Sequence, residues 1–566
     1  MDIKSIDVTS KPYMDKLVLL SGTSGVRINY ILDIVKDMIL SSKYDNLSPS
    51  TTGIYKFEEE LTRVYRTHIE NIISLLLESR PAAIDTFKQA VINIVQDVVM
   101  KGYSIAYIAI HLTYLCRGIL IPNPIIGYLV RTAREVTIIY YLEDFYHGLY
   151  KMNLELFREE TKPRYIIDPI MYLEWRGLDH NIISLLSSLH DNIETIIFGI
   201  KHPIETHKRL LHYASLMRRD GRKRYYLVYF SHPISAFQEE YLKQKDPNRG
   251  LSSLVGVRNI EKFKRLLITK FKELILFEPT TIDELIFDSR EVLDKAICSQ
   301  SSTVSHTSCS AGSILAYSRS KDIKLLSPYI TTKNRWPISK DAPQYKDYYS
   351  CMESQPLNML SNEFSKLFGE QILEQMRNDF CNYIKTGVKT YLVDRINSLI
   401  STQIKMRDYE YVIQSSAIFA YKPVFYLENI DIDRESSPDK IIIAGELLLA
   451  TPLSRGMDAE IRRALAFSKP VYLFIHLIES SKDYIDYISS NLRDNFQIVR
   501  ATINTDASKT HFSRYSDESI KMDIIRGEVD KMIFGESPFT PGIIRVFIDK
   551  NIEDSIDSFI SLIKKY

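Results

Sequence analysis

The 566-residue chain sets 72 Lys and Arg against 71 Asp and Glu, a formal net charge of +1, with 45% hydrophobic and 25% charged residues. This excludes a disordered polyelectrolyte, gives no global reason to hold a polyanion, and predicts two to four domains of ordinary size. Five cysteines without a Cys-x-x-Cys pair exclude a disulfide scaffold, and an acid-containing start without an apolar stretch excludes a secretory leader, so a cytoplasmic protein is expected.

In chain order, the first half offers buried-strand patterns at 16–21 (KLVLLS), 103–110 (YSIAYIAI), 135–142 (EVTIIYYL) and 193–201 (IETIIFGIK), with helical periodicity at 28–41 and along 56–101. Continuous apolar strands alternating with helices predict a parallel sheet covered on both faces. The run YSIAYIAIHLTYLC at 103–116 is followed by Arg117, Pro122 and Pro124. It is shorter than the roughly 20 apolar residues of a membrane span, so no membrane partner is expected.

The basic break MRRDGRKR at 217–224 divides this half from a second α/β series with strand patterns at 225–230, 273–277, 411–420, 440–449, 470–475 and 497–503. A Ser/Thr-rich loop is predicted at 299–312 and a helical insertion at about 357–405. The expected division is 1–218 and 219–566: α/β, two parallel-sheet three-layer domains. His306 and Cys309 fall short of a metal-ligand set, and no metal is expected.

SGTSGVRIN at 21–29 follows an apolar strand and precedes a helix, as a phosphate-binding loop does. Gly22 and Gly25 supply the turn, but Arg27, Ile28 and Asn29 stand where the second glycine, the lysine and the hydroxyl belong. With His111 at the end of the 103–110 strand, this arrangement resembles the adenylate-kinase-like P-loop nucleotide kinases over about 14–210. The resemblance implies a nucleotide or anion seat at Gly22, Gly25, Arg27 and His111. Without the lysine and the Mg²⁺ anchor, kinase activity is not expected.

LSRGMDAEIRRALAFSKPVYLF at 453–474 combines a loop around Gly456, a helix starting near Asp458, and Lys469-Pro470 leading into a buried strand. With VYFSHPIS at 228–235, Arg335-Trp336-Pro337 and MRDYEYVIQSSAIFAY at 406–421, it resembles the nucleoside 2-deoxyribosyltransferase family over roughly 225–505. The resemblance implies a nucleophilic Glu460 and a nucleoside pocket of Tyr229, Ser231, His232, Pro233, Arg407, Asp408, Gly456 and Asp458. It also implies acids near the substrate, where this chain has Ile413 and Ser416. A first-turn Glu equally serves as ordinary helix capping.

Three expectations stand. The first is a nucleotide- or nucleoside-recognising protein with degenerate catalytic motifs, in a regulatory or scaffold role, with no cofactor beyond a nucleotide. The second is an N-glycosidic transferase or hydrolase acting through Glu460. The third is an RNA or ribonucleoprotein partner of the basic segment 207–226. Protein partners and oligomerisation are left open.

Overall fold

The computed structural model describes residues 12–41, 43–143, 169–218, 225–234, 236, 237, 240, 255–279, 391–434, 441–506, 515–534 and 544–563. These form two compact units. One takes the chain through Tyr225 and the described residues up to Glu410, and the other takes Tyr226–Phe277 and everything from Tyr411 onward.

The first unit contains β1 (Met14–Gly22), α1 (Ile28–Leu40), β2 (Thr52–Lys56), α2 (Phe57–Tyr65), α3 (Ile69–Glu78), α4 (Arg80–Lys101) and β3 (Ile105–Ala109). It continues with the hairpin β4 (Thr113–Cys116) and β5 (Ile119–Pro122), then α5 (Ile126–Leu129), β6 (Ala133–Leu142), α6 (Pro169–Leu189), β7 (Ile193–Gly199) and α7 (Ile204–Ser215). The sheet order is β2-β3-β1-β6-β7, all parallel. Leu17 to Leu20 of the central strand are fully buried, each side chain contributing about 1.5–3 kcal/mol. Tyr107 and Tyr141 face α7 and α1 from one side of this sheet, and Tyr140 faces α6 from the other.

The single helical run expected over 56–101 is three helices. Arg66 in the left-handed region (φ 54°) ends α2, and extended Ser79 followed by Pro81 restarts the chain as α4. Gly102 (φ 69°) then ends α4 three residues before β3 begins.

The second unit contains β8 (Tyr226–Ser231), α8 (Val255–Lys270), β9 (Leu274–Phe277), the last residues of α9 (Tyr391–Gln414), β10 (Ala417–Arg434), β11 (Ile441–Pro452) and α10 (Arg455–Ala466). It ends with β12 (Val471–Glu479), α11 (Lys482–Asn491), β13 (Phe496–Asp506), α12 (Asp517–Phe534), β14 (Ile544–Asp549) and α13 (Ile552–Ile563). Its parallel strands run β9-β8-β10-β12-β14, which is order 2-1-3-4-5 along the chain, a doubly wound arrangement.

The wholly parallel sheet expected here is corrected to a mixed one. Past Ala420 the 18-residue β10 leaves its neighbour β8 behind, and from Phe425 it pairs antiparallel with β11, which pairs antiparallel with β13. A separate small core of Ile430, Ile441, Ile443, Ile503 and Ile520 fills this extension. The strand expected at 411–420 is also corrected: α9 runs to Gln414, and β10 starts at Ala417. The rest of the expected helical insertion, the Ser-rich loop and Arg335-Trp336-Pro337 lie outside the described residues.

Candidate functional site

On β8, Val228 and Phe230 point into the core beside Phe263, Phe419 and Phe474. Strand alternation therefore turns Tyr229 and Ser231 to the opposite face. There they meet Glu460, on the second turn of α10. The Tyr229 hydroxyl donates to one Glu460 carboxylate oxygen at 2.7 Å, and the Ser231 hydroxyl donates to the other at 2.5 Å. Both donors are fully buried, while Glu460 is partly exposed. Two hydroxyl donors hold the carboxylate in one orientation. The ring of Tyr411 packs 6.1 Å from that of Tyr229 and 5.5 Å from Phe277, closing the apolar side of the cradle.

The capping role open to Glu460 falls to another residue. Helix α10 starts at Arg455, and Ser454 caps it by accepting from the Met457 N–H at 3.3 Å. Gly456 therefore lies in the first helical turn, where a loop was expected, with nothing within 4 Å of a Cβ built on it. Asp458 is exposed in the same turn. His232 and Pro233 are buried directly after β8, and burial together with Lys264 lowers the His232 pKa to about 3, so its imidazole stays neutral. Arg407 and Asp408 belong to the part of α9 counted with the first unit and pair with each other at 2.9 Å. Ile413 lies in the last turn of α9, and Ser416 immediately precedes β10. The Ile413 carbonyl receives the Lys469 ammonium, and the Ser416 N–H bonds the Leu227 carbonyl.

One residue near this site is not legible as a motif. Tyr229 pairs in register with Ile418 and Ser231 with Ala420, so Lys422, two residues further along β10, shares their face just past the end of β8. Lys422 is partly buried, and burial lowers its pKa while Asp458 opposes the shift.

In the first unit the glycine turn forms as expected. Gly25 adopts φ 90°, and a Cβ on Gly22 would lie 2.8 Å from the Tyr141 carbonyl oxygen. Two backbone amides that a phosphate cradle would aim outward serve the turn instead: Val26 N–H donates to Thr23 O and Ile28 N–H to Val26 O. Arg27 pairs with the buried Glu143 at 3.4 Å. His111 lies 3.1 Å from Glu58, whose pKa burial acts to raise and whose contact with His111 lowers overall.

Behind the turn lies a cluster without a sequence motif. Asp179 of α6 accepts from Thr113 at 2.6 Å and from Tyr140 at 3.0 Å, and the Tyr140 oxygen lies 2.7 Å from that of Thr23. Burial pushes the Asp179 pKa up to about 7.

The first part of the basic segment 207–226 lies on α7. His207, Leu210, Leu211, His212 and Tyr213 are buried on α7, and Lys208 pairs with Glu205. Tyr225 bonds His212, Tyr226 packs 4.9 Å from Phe271, and both tyrosines are half-buried. Residues 219–224 lie outside the described residues. Among the described residues, no helix is long and apolar enough to cross a membrane, and no group of three or more His, Cys, Asp or Glu is placed to hold a metal. Compared with known proteins, the chain matches no family model and no curated protein.

Proposed function

We propose that the protein recognises a nucleoside or nucleotide through its second unit, a nucleoside-2-deoxyribosyltransferase-like domain, and serves a binding or regulatory role. The carrying observation is the Glu460 carboxylate held by Tyr229 and Ser231 at the carboxyl end of β8. In a doubly wound sheet of order 2-1-3-4-5 this edge is where ligands sit, and a fixed carboxylate is a suitable acceptor for sugar hydroxyls. The first unit is read as a P-loop-kinase-like domain without phosphoryl transfer. Ile28 and Asn29 supply neither ammonium nor hydroxyl, and Arg27 is engaged by Glu143.

The same carboxylate supports a second reading, N-glycosidic chemistry. A Glu460 oxygen would form a bond to C1′ as the C1′–N bond breaks, and the departing base would keep the bonding electrons and take a proton from solvent. Water or a second base would then release the sugar from the ester. The two readings separate in one experiment, in which nucleosides are incubated with the wild type and with Glu460→Gln and the free base is quantified by chromatography. Ligand binding by calorimetry with no base released is expected. Base release by the wild type and none by the variant would establish the enzyme instead. If no nucleoside or nucleotide binds, both readings fail.

A further inference from the structure

Lys422 occupies an unusual position in the second unit. On its strand, Ala417, Phe419 and Tyr421 face the main core, so Ile418, Ala420 and Lys422 face the side that carries Tyr229, Ser231 and Glu460. Strand β8 stops pairing at Ala420, and β11 begins pairing only at Phe425. Lys422 therefore stands in the gap where one neighbouring strand has ended and the other has not begun. Position 422 is about 7 Å beyond the residue that pairs with Ser231.

Among the described residues no side-chain hydrogen bond or ion pair within 4 Å engages the Lys422 ammonium, although Asp458 is near enough to be felt electrostatically. The Lys422 stem is desolvated while its ammonium is not among the fully buried unpartnered nitrogens, so the charge is open to a ligand on this face. The first turn of α10 adds a second cation, Arg455, which is exposed and has no ion pair among the described residues. A positive side chain there opposes the helix dipole, which favours an anion at that end.

We infer that the ligand of the second unit carries a phosphate monoester, bound by Lys422 beside the Glu460 cradle, so that the site prefers a nucleoside monophosphate to the matching nucleoside. This rests on the nucleoside-recognition reading above. Glu460 would take the sugar hydroxyls, and Lys422 the charge that a nucleoside lacks. Arg455, at the rim, would help to offset Asp458.

The test is calorimetry with adenosine, guanosine, cytidine and thymidine and their 5′-monophosphates, on the full chain, with unchanged melting curves required of each variant. For at least one pair the wild type should bind the monophosphate tenfold or more tighter than the nucleoside. Lys422→Met should bring that ratio near one while leaving nucleoside affinity within twofold. Lys422→Arg, which keeps the charge and tests the site should the methionine variant misfold, should retain at least a threefold preference. Equal wild-type affinities for nucleoside and monophosphate, or a ratio unchanged in Lys422→Met, would overturn the phosphate assignment and leave nucleoside recognition standing. Failure of every nucleoside and monophosphate to bind would overturn both.

Discussion

Glu460 is held by residues 229 positions or more away in sequence, through hydroxyls on one face of a single strand. Removing one hydroxyl leaves the carboxylate short of a donor that water can only partly replace, because Tyr229 is fully buried. Tyr229→Phe should therefore lower stability by about 1–2 kcal/mol in urea unfolding. In the double variant with Glu460→Gln the effects should be non-additive by about 0.5 kcal/mol or more, and strict additivity would mean that the bond contributes nothing.

Asp179 behaves differently, because burial makes it hold its proton in the folded chain up to about pH 7 while an unfolded aspartate releases it near pH 4. Between those values the folded state binds more protons, so the contribution of Asp179 to stability is full below about pH 4, falls as the pH rises towards 7, and is level above. The stability of Asp179→Asn relative to wild type should therefore climb by roughly 3–4 kcal/mol across that window. Thr113, Tyr140, Thr23 and His111 face the group and remain in both proteins. A difference that does not vary with pH would show that the buried carboxyl is ionised.

Glu460, Tyr229 and Ser231 were readable because they sit in short motifs. Lys422 and Asp179 were not, because what marks them is strand register and burial across long sequence separations.

At the scale of elements, most strands are where continuous apolar runs put them, since a strand buried on both faces leaves that signature. Three short elements escaped, among them the edge strand β14, whose side chains are exposed or half-buried and leave no continuous buried run. Strand β2 is five residues with a glycine in it, and the β4–β5 hairpin is hidden in a run that reads as part of the preceding strand. Tyr411-Val412-Ile413 read as a strand because aromatic and β-branched residues favour one. They finish α9 instead, with Tyr411 and Val412 fully buried.

The β10–β11 pairing has one requirement that sequence periodicity does not reveal. Gly445 adopts φ 152°, and a Cβ there would lie 2.1 Å from the Asn429 carbonyl oxygen. Gly445→Ala should force the hairpin apart and cost about 2 kcal/mol or more. Hydrogen exchange should rise in 425–434 and 441–452 and stay unchanged in β1 to β7. Unaltered protection in the hairpin would show that the backbones can shift to admit the methyl group.

Over the whole molecule, alternation of apolar strands and helices was enough to give two α/β units. It did not give the antiparallel extension, because the strand that builds it is the same strand that crosses the parallel sheet. Pairing partners change along β10 at Lys422-Pro423, between the apolar stretches 417–421 and 424–427, and the far end, with Glu428, Asn429, Asp431 and Asp433, reads as surface. The site in the second unit lies where that change of partner happens.

Helix α10 follows β11 almost directly, and this has a consequence for how a ligand would arrive. β11 is hydrogen-bonded to β10 and β13 along its length, Leu453 still bonds Asn495, and Thr451 bonds the Pro423 carbonyl, so only Ser454 separates ladder from helix. Most pockets of this architecture are bordered by loops that can fold down over a guest. Here the wall bearing Glu460 is clamped before any guest comes, so it acts as a fixed jamb rather than a door. Stopped-flow binding of a fluorescent nucleotide analogue should show one phase whose rate rises linearly with concentration. A rate that saturates would mean that this wall swings after all.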